Sequence, residues 1–175
     1  MLKEETRNKK GFTLIEIIVV IVILAVLMAV AVPSVMSYMK EGQKAKYEAV
    51  ARAALINTQI AVAKDIADNG KADEDGYVIL WVDGISNPSG KKAIDKYGSR
   101  RSYGSNVQNL YVSEIKLSGS KTSGNNDLVS ATYYIKLMGI TGYRKVEVTV
   151  NGKMNVADSN VSEIPVNNKY TFTDK

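Results

Sequence analysis

The pattern of hydrophobic and polar positions changes twice along this chain. From Phe12 to Val35 almost every residue is apolar, and Ile17 to Val32 is uninterrupted. As a helix, about 24 residues at 1.5 Å each span roughly 36 Å, enough to cross a bilayer. After Val35 the pattern becomes amphipathic with no stop signal. Lys44, Glu48 and Arg52 stand at i, i+4 and i+8, the spacing of helical ion pairs. Ala49, Ala53, Ile56, Ile60, Ala63 and Ala67 recur in steps of four and three and make one apolar face. Leu55, Val62 and Ile66 lie on a second apolar flank, and the polar strip of Lys46, Asn57 and Lys64 is narrow. Asp68-Asn69-Gly70 reads as a C-terminal cap. The pattern thus predicts one helix over 12–67, roughly 84 Å long. Two apolar sides require two partners. One side suits a sheet of its own chain and the other suits a second molecule.

Beyond Gly70 the period becomes that of strands. Residues 77–82 read as a strand closed by an Asp83-Gly84 turn, and 86–109 is a Gly-, Ser- and Lys-rich connection with a candidate short helix at 91–97. Leu110–Leu117 and Leu128–Leu137 read as strands around a polar loop. Tyr143–Val150 and Lys153–Val156 flank Asn151-Gly152, the strongest hairpin signal in the chain. The tail, Ile164–Thr173, is a candidate closing strand. The economical architecture is α+β: a long N-terminal helix whose C-terminal half packs on an antiparallel sheet of about four strands.

Composition narrows the chemistry. There is no cysteine and no histidine among the 175 residues. Thiol nucleophiles, thiolate metal sites and disulfides are thereby excluded, and the commonest general base is missing. The formal charge is +5. The first ten residues carry four of the cations (Lys3, Arg7, Lys9, Lys10) against Glu4 and Glu5, so their removal leaves about +3. By the positive-inside rule that flank places residues 1–11 in the cytoplasm and the chain after Val35 outside.

Glu16 is the residue that discriminates among membrane segments. A carboxylate at mid-membrane costs on the order of 2.5–3.5 kcal/mol, and less near the interface where Glu16 lies. No Lys or Arg occurs between Lys10 and Lys40, so a cationic partner has to come from another molecule or from a charge created by processing. Two plainer readings stay open at this point. A signal peptide ending at Ala31 fits Ala29-Val30-Ala31, and a simple signal anchor fits the span, but neither accounts for Glu16.

The run Lys10-Gly11-Phe12-Thr13-Leu14-Ile15-Glu16 resembles the class III leader junction of type IV prepilins. The resemblance covers roughly the first 60 residues, and the rest only in outline. It implies a pilin fold and a prepilin peptidase that cuts after Gly11 and N-methylates Phe12. It also implies that Glu16, fifth in the mature chain, pairs with the Phe12 ammonium of an adjacent subunit, and that Pro33 marks a bend. The implied organisation is a cleaved cytoplasmic leader (1–11), a transmembrane and assembly helix (12–35), an amphipathic helix (36–69) and a β-rich head (70–175). The implied protein is a single-pass membrane precursor, then an extracellular helical homopolymer (a fimbrium) serving adhesion, surface motility or biofilm formation. Its further partners would be an assembly platform protein and an ATPase. Intact Glu16, the ordinary size of the head and the lack of cysteine point to a major pilin of a Gram-positive bacterium. The alternatives are a minor pilin, a pseudopilin of a secretion or competence system, and a secreted binding module with a signal peptide over 1–31.

The remaining motifs are weak. Asp73-Glu74-Asp75-Gly76 matches half a calcium loop, but Val82 stands where the closing Glu is required, so a solvated acidic turn suffices. Ser37-x-x-Lys40 and Ser118-x-x-Lys121 lack the companion motifs of Ser-Lys enzymes. Lys91, Lys92, Lys96, Arg100 and Arg101, with Tyr97 and Tyr103 interleaved, form a candidate surface patch for DNA or anionic polymers. No enzyme chemistry, metal or cofactor is expected.

Overall fold

The computed structural model describes residues 11–70, 72, 106–120, 126–164 and 170–173. Helix α1 runs from Leu14 to Asn69, 56 residues, and passes through Pro33 without a break. Pro33 has no N–H to give to the Ala29 carbonyl, so one rung of the ladder is lost while the helix continues. The helix stops where the sequence predicts. Gly70, at φ +71°, takes the left-handed conformation that ends helices. The chain divides into two units, Met1–Gly42 and Gln43–Lys175. Among the described residues the first unit is 11–13 and the N-terminal part of α1, to Gly42.

The second unit is a helix-on-sheet layer. Strands β1 (Val107–Ser118), β2 (Leu128–Leu137), β3 (Tyr143–Thr149), β4 (Met154–Val161) and β5 (Tyr170–Thr173) form one sheet in the order β4-β3-β2-β1-β5. The first four pair antiparallel, as expected, whereas β5 is a fifth strand and lies parallel to β1 through Ile115↔Tyr170 to Ser118↔Thr173. The expectation of about four strands is thus one short, with the tail supplying the addition.

Register explains the core. Val112, Tyr133, Val146 and Val156 are partners in turn across β1 to β4, one apolar row on one face. In β1 the core residues Leu110, Val112, Ile115 and Leu117 are not evenly spaced by two. A register shift between Val112 and Glu114 absorbs the extra residue, Ser113, and returns Ile115 and Leu117 to the core face. Against this face pack Tyr47, Val50, Ala51, Ala54, Leu55, Ala61 and Val62 of the helix. Thr58 joins the two layers with a polar contact. Its fully buried hydroxyl donates to the Ala54 carbonyl at 2.9 Å and shares a hydrogen bond with the Tyr133 hydroxyl at 2.8 Å. Both hydroxyls are therefore satisfied without water.

Arg144 fastens the β4 side. Its Nε donates to Asn160 Oδ1 at 2.6 Å and its Nη1 to the carbonyls of Ala157 and Asp158 at 2.9 and 3.1 Å. The guanidinium carbon sits 5.2 Å from the ring centroid of Tyr47, a cation–π contact between sheet and helix. Just before β3, Gly142 adopts φ +80°, and a Cβ there would stand 2.7 Å from the Val161 carbonyl oxygen. No larger residue fits without displacing β4.

Strand 77–82 and its turn, the short helix at 91–97 and the acidic turn 73–76 lie outside the described residues.

Candidate assembly site

At its N-terminus the helix is capped by its own sequence. Thr13 is the residue before the first turn, and its carbonyl accepts the Ile17 N–H at 3.3 Å. The Thr13 N–H and the Thr13 hydroxyl both donate to Glu16 Oε2 at 2.8 Å, while the Glu16 N–H reaches back to Thr13 Oγ1 at 3.4 Å. These are the reciprocal bonds of a capping box, in which Thr and the Glu three residues on satisfy each other's free backbone donors. The carboxylate also sits at the positive end of the helix dipole. Glu16 therefore has a polar partner in its own chain, a neutral one, where the sequence suggested only an absent Lys or Arg. Thr13 is a site residue that charge alone does not reveal, yet its signal is present: Thr-x-x-Glu directly before an apolar run.

Beyond the cap the helix is apolar on every side. All side chains from Gly11 to Lys46 are exposed in the single chain, including Ile17 to Val32 throughout. Among the described residues one helix is long and apolar enough to cross a membrane, and its most apolar window is 0% buried. A soluble core helix would bury such a window; this one finds no cover in its own fold. A family model described as the prokaryotic N-terminal methylation motif matches residues 6–32, taking in the basic flank, the Gly11-Phe12 junction, Glu16 and most of the apolar run. The match supports a type IV pilin-like prepilin. No curated protein and no solved structure matches it. The α+β architecture found above agrees with the pilin fold. The motif implies a structural protein, processing by a prepilin peptidase, and anchoring in the membrane before assembly.

Of the residues singled out in the sequence near this helix, Gly11, Phe12, Glu16 and Pro33 are described. Phe12 is 84% exposed, immediately before the cap. Glu16 lies one turn further along, and Pro33 stands on the same helix, well beyond both. The patch of Lys91, Lys92, Lys96, Arg100 and Arg101 lies outside the described residues, as does Lys121.

In the second unit the helix resolves its two apolar sides. Leu55 and Val62 face the sheet and are buried, with Ile66 packed partly against the core. The other stripe points away from the sheet: Ile56 is 56% and Ile60 41% exposed, and Ala49, Ala63 and Ala67 are exposed beside them. The stripe is flanked by small residues, so another helix can approach its backbone closely.

The opposite side of the sheet carries an aromatic and charged surface. The rings of Tyr111 and Tyr143 meet edge to face with centroids 5.5 Å apart, and Asn109 Nδ2 donates to the Tyr143 hydroxyl at 3.2 Å. Burial first, and then neighbouring Tyr143, push the Tyr111 phenol up to about 12. Lys145 and Glu147 form an ion pair at 2.6 Å; the hydrogen bond between them raises the lysine pKa and lowers that of the carboxylate. Among the described residues no group of three or more His, Cys, Asp or Glu side chains is placed to hold a metal.

Proposed function

We propose that this prepilin is the principal subunit of a type IV pilus, cut after Gly11, methylated on Phe12 and polymerised through its N-terminal helix. One observation carries the reading: an apolar helix with no cover in its own chain, opened by a carboxylate fixed one turn from Phe12. In the uncut chain Phe12 contributes an amide. Cleavage after Gly11 would turn that nitrogen into an ammonium and leave the Thr13–Glu16 capping box whole on the mature side. The carboxylate, already aimed at the helix start, is then available to the Phe12 ammonium of an adjacent subunit, an attraction strengthened in apolar surroundings.

The bilayer supplies the first cover for residues 12–35. Lipid is as apolar as the helix, so little hydrophobic gain comes from exchanging lipid for neighbouring helices. The bundled helices instead prevent exposure to water once subunits leave the membrane. Extraction therefore calls for external work, the role of the cytoplasmic ATPase and platform protein. The stripe of Ile56 and Ile60 offers a further apolar contact surface within the 36–69 segment. Topology is set by the basic flank, with the leader inside and residues after Val35 outside. The finished fibre would serve adhesion, surface motility or biofilm formation, in a Gram-positive bacterium. A cut after Ala31 would divide a continuous helix, which weighs against a secreted module.

N-terminal sequencing of the exported protein tests the scheme: methyl-Phe12 is expected, and a start at Val32 would overturn it. Glu16→Ala should leave membrane insertion intact and stop filament growth.

A further inference from the structure

The chain has two Asn-Gly pairs, Asn69-Gly70 at the end of α1 and Asn151-Gly152 in the hairpin between β3 and β4. The hairpin pair is exposed. This dipeptide is chemically unstable in flexible chains. The Gly152 nitrogen, once deprotonated, attacks the Asn151 side-chain carbon Cγ. A C–N bond forms, the Cγ–Nδ2 bond breaks and ammonia leaves with the side-chain nitrogen. The resulting succinimide takes up one water at either carbonyl and opens to aspartate or isoaspartate.

The loop geometry engages both groups that would have to react. The Gly152 N–H donates to the Thr149 carbonyl at 2.9 Å, closing the turn, so the nucleophile must first lose a hydrogen bond. The electrophile is also held. Asn151 Oδ1 accepts from the Thr149 hydroxyl and, at 3.3 Å, from the Lys153 N–H. The frame around it is closed: the Thr149 N–H donates to the Lys153 carbonyl at 2.9 Å, the Thr149 hydroxyl contacts the same carbonyl at 3.1 Å, and the Val150 N–H donates to the Val129 carbonyl on β2 at 3.0 Å. Donors on Oδ1 would by themselves polarise the carboxamide and favour attack. The anion of Gly152 comes first in the sequence of steps, however, and both atoms must leave their bonds to meet.

We infer that Asn151 is a deamidation site kept silent by the folded hairpin, with Thr149 as the residue that holds it. Conversion is gated by opening of this loop, so isoaspartate at 151 records time spent with the hairpin undone. The inference rests on the loop alone and is independent of how the chain assembles.

The test tracks the amide-to-acid mass change and isoaspartate content of the peptide containing 151, resolved from the peptide containing 69. The detergent-solubilised full chain is held at mildly alkaline pH, folded and in denaturing urea. Folded protein should convert at 151 at least roughly tenfold more slowly than unfolded. Thr149→Val, which keeps the strand shape and removes the hydroxyl, should accelerate the folded protein by roughly two- to tenfold, the worth of one hydrogen bond. It should leave the rate in urea unchanged. Circular dichroism confirms that the variant is folded, and Thr149→Ser serves as the conservative rescue. Equal rates in folded and unfolded chains, or a Thr149→Val rate no faster than the parent, would overturn the inference.

Discussion

Leu14–Gly42 and Gln43–Asn69 belong to one helix, yet they meet water in opposite ways. The first stretch exposes every side chain in the single chain, although it is the most apolar part of the molecule. The second buries Tyr47, Ala51, Ala54, Thr58 and Ala61 almost completely against its own sheet and keeps the Ile56–Ile60 stripe open. Covering one exposed Val, Leu or Ile is worth about 1.5–3 kcal/mol. For the first stretch that gain is realised outside the chain, in lipid or among neighbouring helices; for the second, most of it is realised on folding. Helix formation alone therefore says little about where a helix finds its stability. The partner of each face decides it.

Mutations can separate the two halves. The largest effect is expected for Tyr133→Ala, which empties a fully buried site opposite the helix and removes the polar contact to Thr58. It should cost about 3–5 kcal/mol in denaturant unfolding of the purified chain, whereas a truncation such as Ile21→Ala should leave that transition unmoved. Thr13→Ala comes next. Loss of the cap should cost about 1 kcal/mol at the helix start, read as faster amide exchange over 14–18, with the sheet unaffected. Smallest on folding is Ile60→Asp, within about 0.5 kcal/mol. Its effect should surface as a lower yield or lower thermal resistance of filaments. A large loss of monomer stability would show that the stripe is covered by the chain itself.

The helix was legible because its signals are local. An unbroken apolar run, a 4-3 repeat and an Asn-Gly exit are all visible without knowing the fold, and the observed end falls within two residues of the expected one. The choice between its two apolar sides was not legible, since periodicity gives faces and not partners. Three sheet details were hidden for different reasons. A register shift between Val107 and Asn109, with polar Gln108 and Asn109, breaks alternation at the start of β1, so the strand reads as beginning only at Leu110. β4 runs to Val161, past Val156, and there Asp158, Ser159 and Asn160 are polar and Val161 is exposed, a pattern that resembles a loop. The parallel pairing of β5 joins residues 115–118 to 170–173, a relation no local window contains. At the assembly site the carboxylate of Glu16 stood out by its cost. Thr13 did not, because attention to charge overlooked a neutral hydroxyl and a backbone N–H.

The polar outer strand has a consequence for a protein proposed to polymerise. Among the described residues β4 is an outer strand of the sheet, and Asn155, Asp158, Ser159 and Asn160 decorate it. A charged, hydrated margin of this kind discourages strand-by-strand fusion with a second sheet. Crowded copies are then left with the greasy rods as their adhesive surface, and ordered fibres rather than amyloid are the outcome that this division of labour favours.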